Sequence, residues 1–137
     1  KDALIFIILQ ILGAGLGVMI AHGMFELDIL QISSKSRQGA SQGFSEIIAT
    51  FGLILVIFGG LKVRADAIPA LVGFYITSAY WFTASTSFAN PAVTLARSLS
   101  DTFAGINPSN IIMFISCQFI GMLVALILVK YIFSEKE

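Results

Sequence analysis

One stretch decides the fold: Ser87-Phe88-Ala89-Asn90-Pro91-Ala92-Val93-Thr94-Leu95-Ala96-Arg97. Asparagine is a good N-cap, and proline is favoured at the first position of a helix, where its missing N–H costs nothing. A helix is therefore predicted to begin at Pro91. Unpaired backbone N–H groups cannot face lipid, so a helix that begins at membrane depth must begin in a protein-lined, watery place. If the flanking segments span a membrane, Asn90 lines a pathway.

The composition indicates an integral membrane protein, whose first partner is the lipid bilayer. Of the 137 residues, 57% are hydrophobic and 12% are charged, against about 25% charged in soluble domains, and the mean hydropathy is +0.92. The net charge is zero and the basic residues are scattered, which argues against nucleic acid as a partner. With one histidine, one cysteine and no cluster of carboxylates, the sequence predicts no catalytic site, metal site or cofactor.

Four apolar segments are predicted to span a membrane whose hydrocarbon core is roughly 30 Å thick, and the third is shorter than the others. They are predicted over residues 3–23, 43–61, 67–82 and 109–133. The helix that begins at Pro91 is predicted to extend to about Phe103, only about 20 Å at 1.5 Å per residue, so it must enter the membrane and return. The predicted fold is an all-α membrane bundle of four spans and one re-entrant half-helix, in a single domain over residues 1–137.

A carboxylate lies inside the second span. Glu46 is followed one turn later by Thr50, and a charge in a membrane helix is costly unless it has partners. In one interpretation Glu46 lies close enough to the helix start to reach the water interface. In the other it is a buried polar residue that accepts hydrogen bonds from irregular backbone nearby, with Thr50 on the same face. His22, at the end of the first span, is interpreted as an interfacial side chain.

The first and last spans share a pattern. Gln10 is followed three residues later by Gly13, and Gln118 is followed three residues later by Gly121. Weak internal similarity of this kind is typical of membrane proteins built from two inverted halves. We therefore expect that the chain holds the last helix of one half and the whole of the next, and that an N-terminal part is missing. Both glutamines are predicted to be buried polar side chains.

These features resemble the aquaporin, or major intrinsic protein, family, from its third to its sixth transmembrane helix. The tripeptide Asn90-Pro91-Ala92 matches the family signature, Glu46 with Thr50 resembles the motif that opens each half, and Gln10 with Gly13 resembles the third helix. The resemblance covers nearly the whole chain. It implies a passive channel whose pore centre lies where two half-helices meet and whose asparagines offer their amides to water. It also implies a homotetramer in the cell (plasma) membrane.

The resemblance further implies which residues form the narrow outer filter. The family's second motif continues with an arginine, but Val93 stands at that position. Arg97, one turn further on, either returns its guanidinium to the filter or lies at the mouth as a snorkelling residue. Ser87 belongs to the filter by alignment, and the neighbouring helix contributes Ser78 or Tyr80, depending on where the count begins. With Val93 in the filter, we expect a channel that passes water and small uncharged solutes such as glycerol.

Three alternatives stay open. The run from Asn90 to Thr94 also resembles the family's first motif, in which case residues 43–133 are the three helices of the first half. A secondary transporter with a substrate site at a broken helix would need ligands at the break, where the sequence has hydroxyls and one amide but no carboxylate. The last alternative is a non-conducting, truncated membrane subunit.

Overall fold

The computed structural model describes residues 2–133, and over these residues the chain is helical without a β-strand. Within this range five α-helices follow one another: α1 (Asp2–Met24), α2 (Ala40–Val63), α3 (Ile68–Phe82), α4 (Pro91–Arg97) and α5 (Ile111–Phe133). Short 3-10 turns, Ala65–Ala67 and Pro108–Asn110, lead into α3 and α5. The predicted all-α membrane class is confirmed. Lys1 and residues 134–137 of the predicted domain lie outside the described residues.

Three of the described helices are long and apolar enough to cross a membrane. They are α1, α2 and the segment Pro108–Phe133, whose most apolar stretches have mean hydropathies of 2.5, 2.1 and 2.6. Helix α3, which occupies the third predicted span, has 15 residues and is about 22 Å long at 1.5 Å per residue. It is therefore shorter than the roughly 30 Å hydrocarbon core.

Helix α4 is shorter than predicted. It ends at Arg97 and does not continue to Phe103. The next residue, Ser98, donates its backbone N–H to the carbonyl of Leu95 at 3.2 Å, and its Oγ donates to the same carbonyl at 2.6 Å. Serine side chains that bond nearby backbone in this way compete with helix formation. The polar run after Arg97 therefore forms turns instead of extending the helix.

The chain forms two compact units, and each is described here by itself. Unit 1 comprises the residues up to Gln38 together with Asn90–Ile115, and unit 2 comprises Gly39–Ala89 together with the residues from Ser116 onward. In unit 1, α1 packs against α4, and in unit 2, α2 packs against α3. The buried apolar side chains of unit 1 include Ala92, Ala96, Ile106 and Phe114. Those of unit 2 include Ala49, Ala79, Phe88 and Ala125.

Helices α2 and α5 approach each other closely within unit 2. Gly121 is buried, and a Cβ atom added to it would overlap the carbonyl oxygen of Ile47. Because the helix backbones meet at this point, only glycine fits position 121 without moving one of them. The close approach also brings Gln118, one turn earlier on α5, next to α2.

Candidate pore site

The backbone that leads to the tripeptide adopts a rare conformation. Thr86, Ser87 and Ala89 have φ angles of 63°, 48° and 49°, in the left-handed region that residues with a side chain seldom occupy. Each such residue costs on the order of 1 kcal/mol and persists only where its surroundings hold it in place. The loop before Asn90 is therefore shaped by its contacts and not by its own preference.

Glu46 supplies those contacts from within unit 2. Its side chain is fully buried. One carboxylate oxygen, Oε1, accepts the backbone N–H of Phe88 at 2.9 Å and the hydroxyl of Ser85 at 2.6 Å. The other, Oε2, accepts the backbone N–H of Ala89 at 2.9 Å and the amide of Gln118 at 2.7 Å. Glu46 thus faces inward, and its position does not match the interface alternative.

The other predicted buried polar residues differ in their surroundings. Gln118 is 2% exposed and Thr50 is 5% exposed, and among the described residues the Thr50 hydroxyl has no hydrogen-bond partner. Gln10 is exposed, contrary to its predicted burial. Its side chain lies beside the start of α4, where its Oε1 is 3.5 Å from Nδ2 of Asn90, and the short helix α4 does not cover it.

Asn90 caps α4 within unit 1. Its Oδ1 accepts the backbone N–H of Ala92 at 2.7 Å, and Pro91 occupies the first turn. Because a backbone N–H can only donate, the capping bond fixes the amide oxygen toward the helix. The Nδ2 group is then directed away from α4 and reaches Oε1 of Gln10 in a long contact of 3.5 Å. Asn90 therefore presents an N–H donor beside α1.

Val93 and Arg97 line one cavity along α1 and α4. The cavity has a volume of about 280 Å³. Its other lining residues are small or apolar: Ala14, Gly17, Val18, Ala21 and Ala96. A second cavity of about 280 Å³ lies beside His22 and Ser100. Both are lined by Val18, Ala21 and Arg97, so Arg97 stands where they adjoin.

The sequence was also compared with known proteins. It is 47% identical over 132 residues to aquaglyceroporin AqpS of Rhizobium meliloti (strain 1021), and the match covers 96% of this chain. The chain belongs to the aquaporin family. It spans 57% of the length of that relative. No family model matches the chain, and no solved structure matches it. Together with the three long apolar helices, the relationship identifies this aquaporin chain as part of an integral membrane protein.

Three residues predicted for the aquaporin filter belong to unit 2, whereas Val93 and Arg97 belong to unit 1. Ser87 is 3% exposed, and among the described residues its hydroxyl has no hydrogen-bond partner. The exposed Ser78 donates its hydroxyl to the Phe74 carbonyl on its own helix at 2.9 Å. Tyr80 is half-buried. The choice between Ser78 and Tyr80 stays a prediction.

His22 is buried, although the sequence suggested an interfacial side chain. It is 2% exposed. Its Nδ1 lies 3.0 Å from the carbonyl oxygen of Ile29, and its Nε2 lies 3.0 Å from Oγ of Ser100. A carbonyl can only accept, so Nδ1 donates to Ile29, and in the neutral ring Nε2 accepts from Ser100. The loop after α1 folds back over this side chain. The contact with Ser100, 78 positions away, could not be predicted from the local sequence.

In the segment after α4, the Asp101 side chain bonds to the loop between α1 and α2. Its Oδ1 accepts the backbone N–H of Ser34 at 2.8 Å and the hydroxyl of Ser34 at 2.9 Å. Both hydrogen bonds lower the pKa of the Asp101 carboxyl below its usual range, and the bond from the backbone N–H has the larger effect. Neither Asp101 nor Ser34 was singled out from the sequence, because nothing in their spacing relates them.

Proposed function

We propose that the full protein is a passive channel that conducts water and small uncharged solutes such as glycerol. The pore in this proposal passes Asn90 and then Val93 and Arg97. The name of the relative, an aquaglyceroporin, favours a channel of this kind. A passive channel needs no nucleophile, acid or base, so the protein is not an enzyme in this proposal.

The orientation of the Asn90 amide carries the proposal. Its oxygen is engaged by the Ala92 N–H at 2.7 Å, which leaves the N–H₂ group to donate to whatever occupies the space beside α1. A water molecule or an alcohol accepts such a hydrogen bond with its oxygen. A cation gains nothing from a donor, because a donor presents its positive end. The site therefore favours neutral oxygen-bearing solutes.

The side chains beyond Asn90 support passage of a solute larger than water. Val93 lines the cavity with methyl groups, which neither donate nor accept hydrogen bonds and therefore do not bind water. Arg97 lines the same cavity one turn later, so its guanidinium occupies space that a large solute must pass. The apolar wall at Val93 suits the carbon chain of a polyol, and the Asn90 N–H₂ group can donate to its hydroxyl oxygens.

We also propose a homotetramer in the cell membrane. Large apolar side chains are exposed along α1 and α5, for example Phe6 at 65% and Ile127 at 72%. Such surfaces require lipid or protein around them. Light scattering of the detergent-purified protein that gives the mass of one subunit would contradict the tetramer.

Stopped-flow light scattering of proteoliposomes that contain the full-length protein tests the channel. We expect fast shrinkage in sucrose and re-swelling in glycerol, both linear in the solute gradient and independent of ion gradients. Asn90→Trp should abolish both, whereas Val63→Trp, at a position that is 78% exposed, should leave both in place. Glycerol flux that saturates at low concentration, or that requires an ion gradient, would instead indicate a secondary transporter.

A further inference from the structure

The mouth segment, defined as residues 98–107 after α4, is pinned by a second piece of unit 1. This piece, called the strap, comprises residues 31–37 in the loop between α1 and α2. Backbone hydrogen bonds join the two: Ser33 N–H to Ser98 O at 2.8 Å and Asn107 N–H to Lys35 O at 2.7 Å. The strap therefore holds the mouth segment at both of its ends.

Arg37 holds the middle of the mouth segment. Its side chain is 4% exposed. Nε donates to the carbonyl of Gly105 at 2.7 Å, and Nη2 donates to the carbonyl of Phe103 at 3.0 Å. The Arg37 backbone N–H is fixed in turn by Oδ1 of Asn110 at 2.9 Å. One buried guanidinium thus binds two carbonyls of an irregular loop from an anchored position.

The mouth segment leads directly back to Arg97. The backbone N–H of Ile106, the residue after Gly105, donates to the carbonyl of Arg97 at 3.3 Å. Ile106 is fully buried, so this contact lies inside the unit. A Cβ atom added to Gly105 would overlap the carbonyl oxygen of Ser100, which shows how tightly the loop is folded. The backbone of Arg97 is therefore held by the loop that Arg37 binds.

We propose that Arg37 is a positioning residue that fixes Arg97 at the channel mouth and thereby sets the selectivity between water and larger neutral solutes. This inference rests on the proposed channel function. The chain of contacts runs from the guanidinium to the Phe103 and Gly105 carbonyls, through Ile106, to Arg97. The Arg97 side chain then occupies the place where the two cavities adjoin.

An arginine suits this role better than a lysine. The guanidinium is planar and presents several donors in a fixed fork, whereas an ammonium is a point charge on a flexible stem. The carbonyls of Phe103 and Gly105 are bound by two different nitrogens of the guanidinium, which suits its forked arrangement of donors. Lysine at position 37 should bind one carbonyl and leave the other loosely held.

The test measures the ratio of glycerol to water permeability in proteoliposomes for the full-length protein. Arg37→Gln should raise the ratio about threefold or more, since one hydrogen bond is worth at least that factor in an equilibrium. Arg97→Ala should raise it as well, because this variant removes from the mouth the guanidinium that Arg37 positions. The double variant should equal Arg97→Ala alone, because Arg37 acts through Arg97. Arg37→Lys should give an intermediate ratio.

The matched control is Arg64→Gln, which removes a guanidinium from an exposed pair with Asp66 and should leave the ratio unchanged. A wild-type ratio in folded Arg37→Gln overturns the inference, and so does a shift that persists fully in the Arg97→Ala background. If Arg37→Gln does not yield a folded peak in size-exclusion chromatography, Arg37→Lys with the same double variant decides in its place. Wild-type protein that conducts neither solute refutes the channel function instead, before any variant is compared.

Discussion

Oε2 of Glu46 accepts the backbone N–H of Ala89 at 2.9 Å, immediately before the Asn90 that caps α4. With the Phe88 N–H on the other oxygen, the carboxylate holds two consecutive amides of a strained loop. A buried carboxylate is costly by itself, but here hydrogen bonds compensate for its removal from water. Glu46 therefore fixes the backbone that leads into the tripeptide.

Replacing Glu46 by glutamine should destabilise the protein by about 2–4 kcal/mol. The glutamine N–H₂ would face groups that themselves donate, so at least one buried donor would lose its acceptor. The measurement is the thermal unfolding midpoint in detergent. Glu26→Gln makes the same chemical change at an exposed position and should leave the midpoint nearly unchanged. Equal midpoints for the two variants would mean that the carboxylate network adds no stability.

Position 89 should be sensitive to branching of its side chain. Ala89 has a φ of 49° and is 7% exposed, so Ala89→Val places a β-branched residue in the left-handed region. We expect a loss of about 1–3 kcal/mol in unfolding free energy and reduced water permeability. Ala89→Gly should unfold no more easily than wild type, because glycine adopts this φ without strain. If valine is tolerated as well as glycine, the loop does not need this conformation.

Stability should fall in acid in a way that depends on Asp101. Its pKa is lowered, first by the Ser34 N–H and then by the Ser34 hydroxyl. A carboxyl with a lowered folded pKa contributes stability above its ordinary value of about 3.9 and loses it as the pH falls through the lowered one. The unfolding midpoint of Asp101→Asn should therefore lie below wild type at pH 7, and the difference should shrink in acid.

The control for Asp101 is Asp28→Asn, a change at an exposed carboxylate of the loop after α1. Its midpoint should follow wild type across the pH range. A difference between Asp101→Asn and wild type that stays constant from neutral pH to below the lowered pKa would show that ionisation of Asp101 is not involved.

Val93 should set the width of the filter. Val93→Arg places a long cationic side chain in the cavity that Val93 and Arg97 share. We expect glycerol permeability to fall about tenfold or more relative to water, because a barrier of about 1.4 kcal/mol already gives that factor. Val63→Arg, at a position that is 78% exposed, should leave the ratio unaltered. Glycerol flux that survives Val93→Arg would place the filter elsewhere.

Local chemistry explains which features could be predicted from the sequence. The helix start at Pro91 depends on Asn90 alone, because an N-cap and its proline are adjacent in the chain. Its end could not be predicted in the same way, since the prediction assumed that the helical pattern continued through Ser98. Glu46 was left with two alternatives because spacing along one helix does not reveal whether the missing partners are backbone amides or water.

The residues that sequence reasoning missed all depend on long-range contacts. His22 meets Ser100 and Arg37 meets Gly105, and no periodicity or motif relates these positions. Arg37 in particular lies in a polar loop, where an arginine is ordinarily solvated. Its burial follows only from the way the strap and the mouth segment fold together.

The separation between the strap and the mouth segment also has a consequence for biosynthesis. Arg37 and Gly105 are 68 positions apart, and Ser34 and Asp101 are 67 apart. Chains are made from the N-terminus. Arg37 therefore has none of these carbonyl partners while α2, α3 and α4 are synthesised. The hydrogen bonds that hold the mouth segment can therefore form only after translation has passed Gly105.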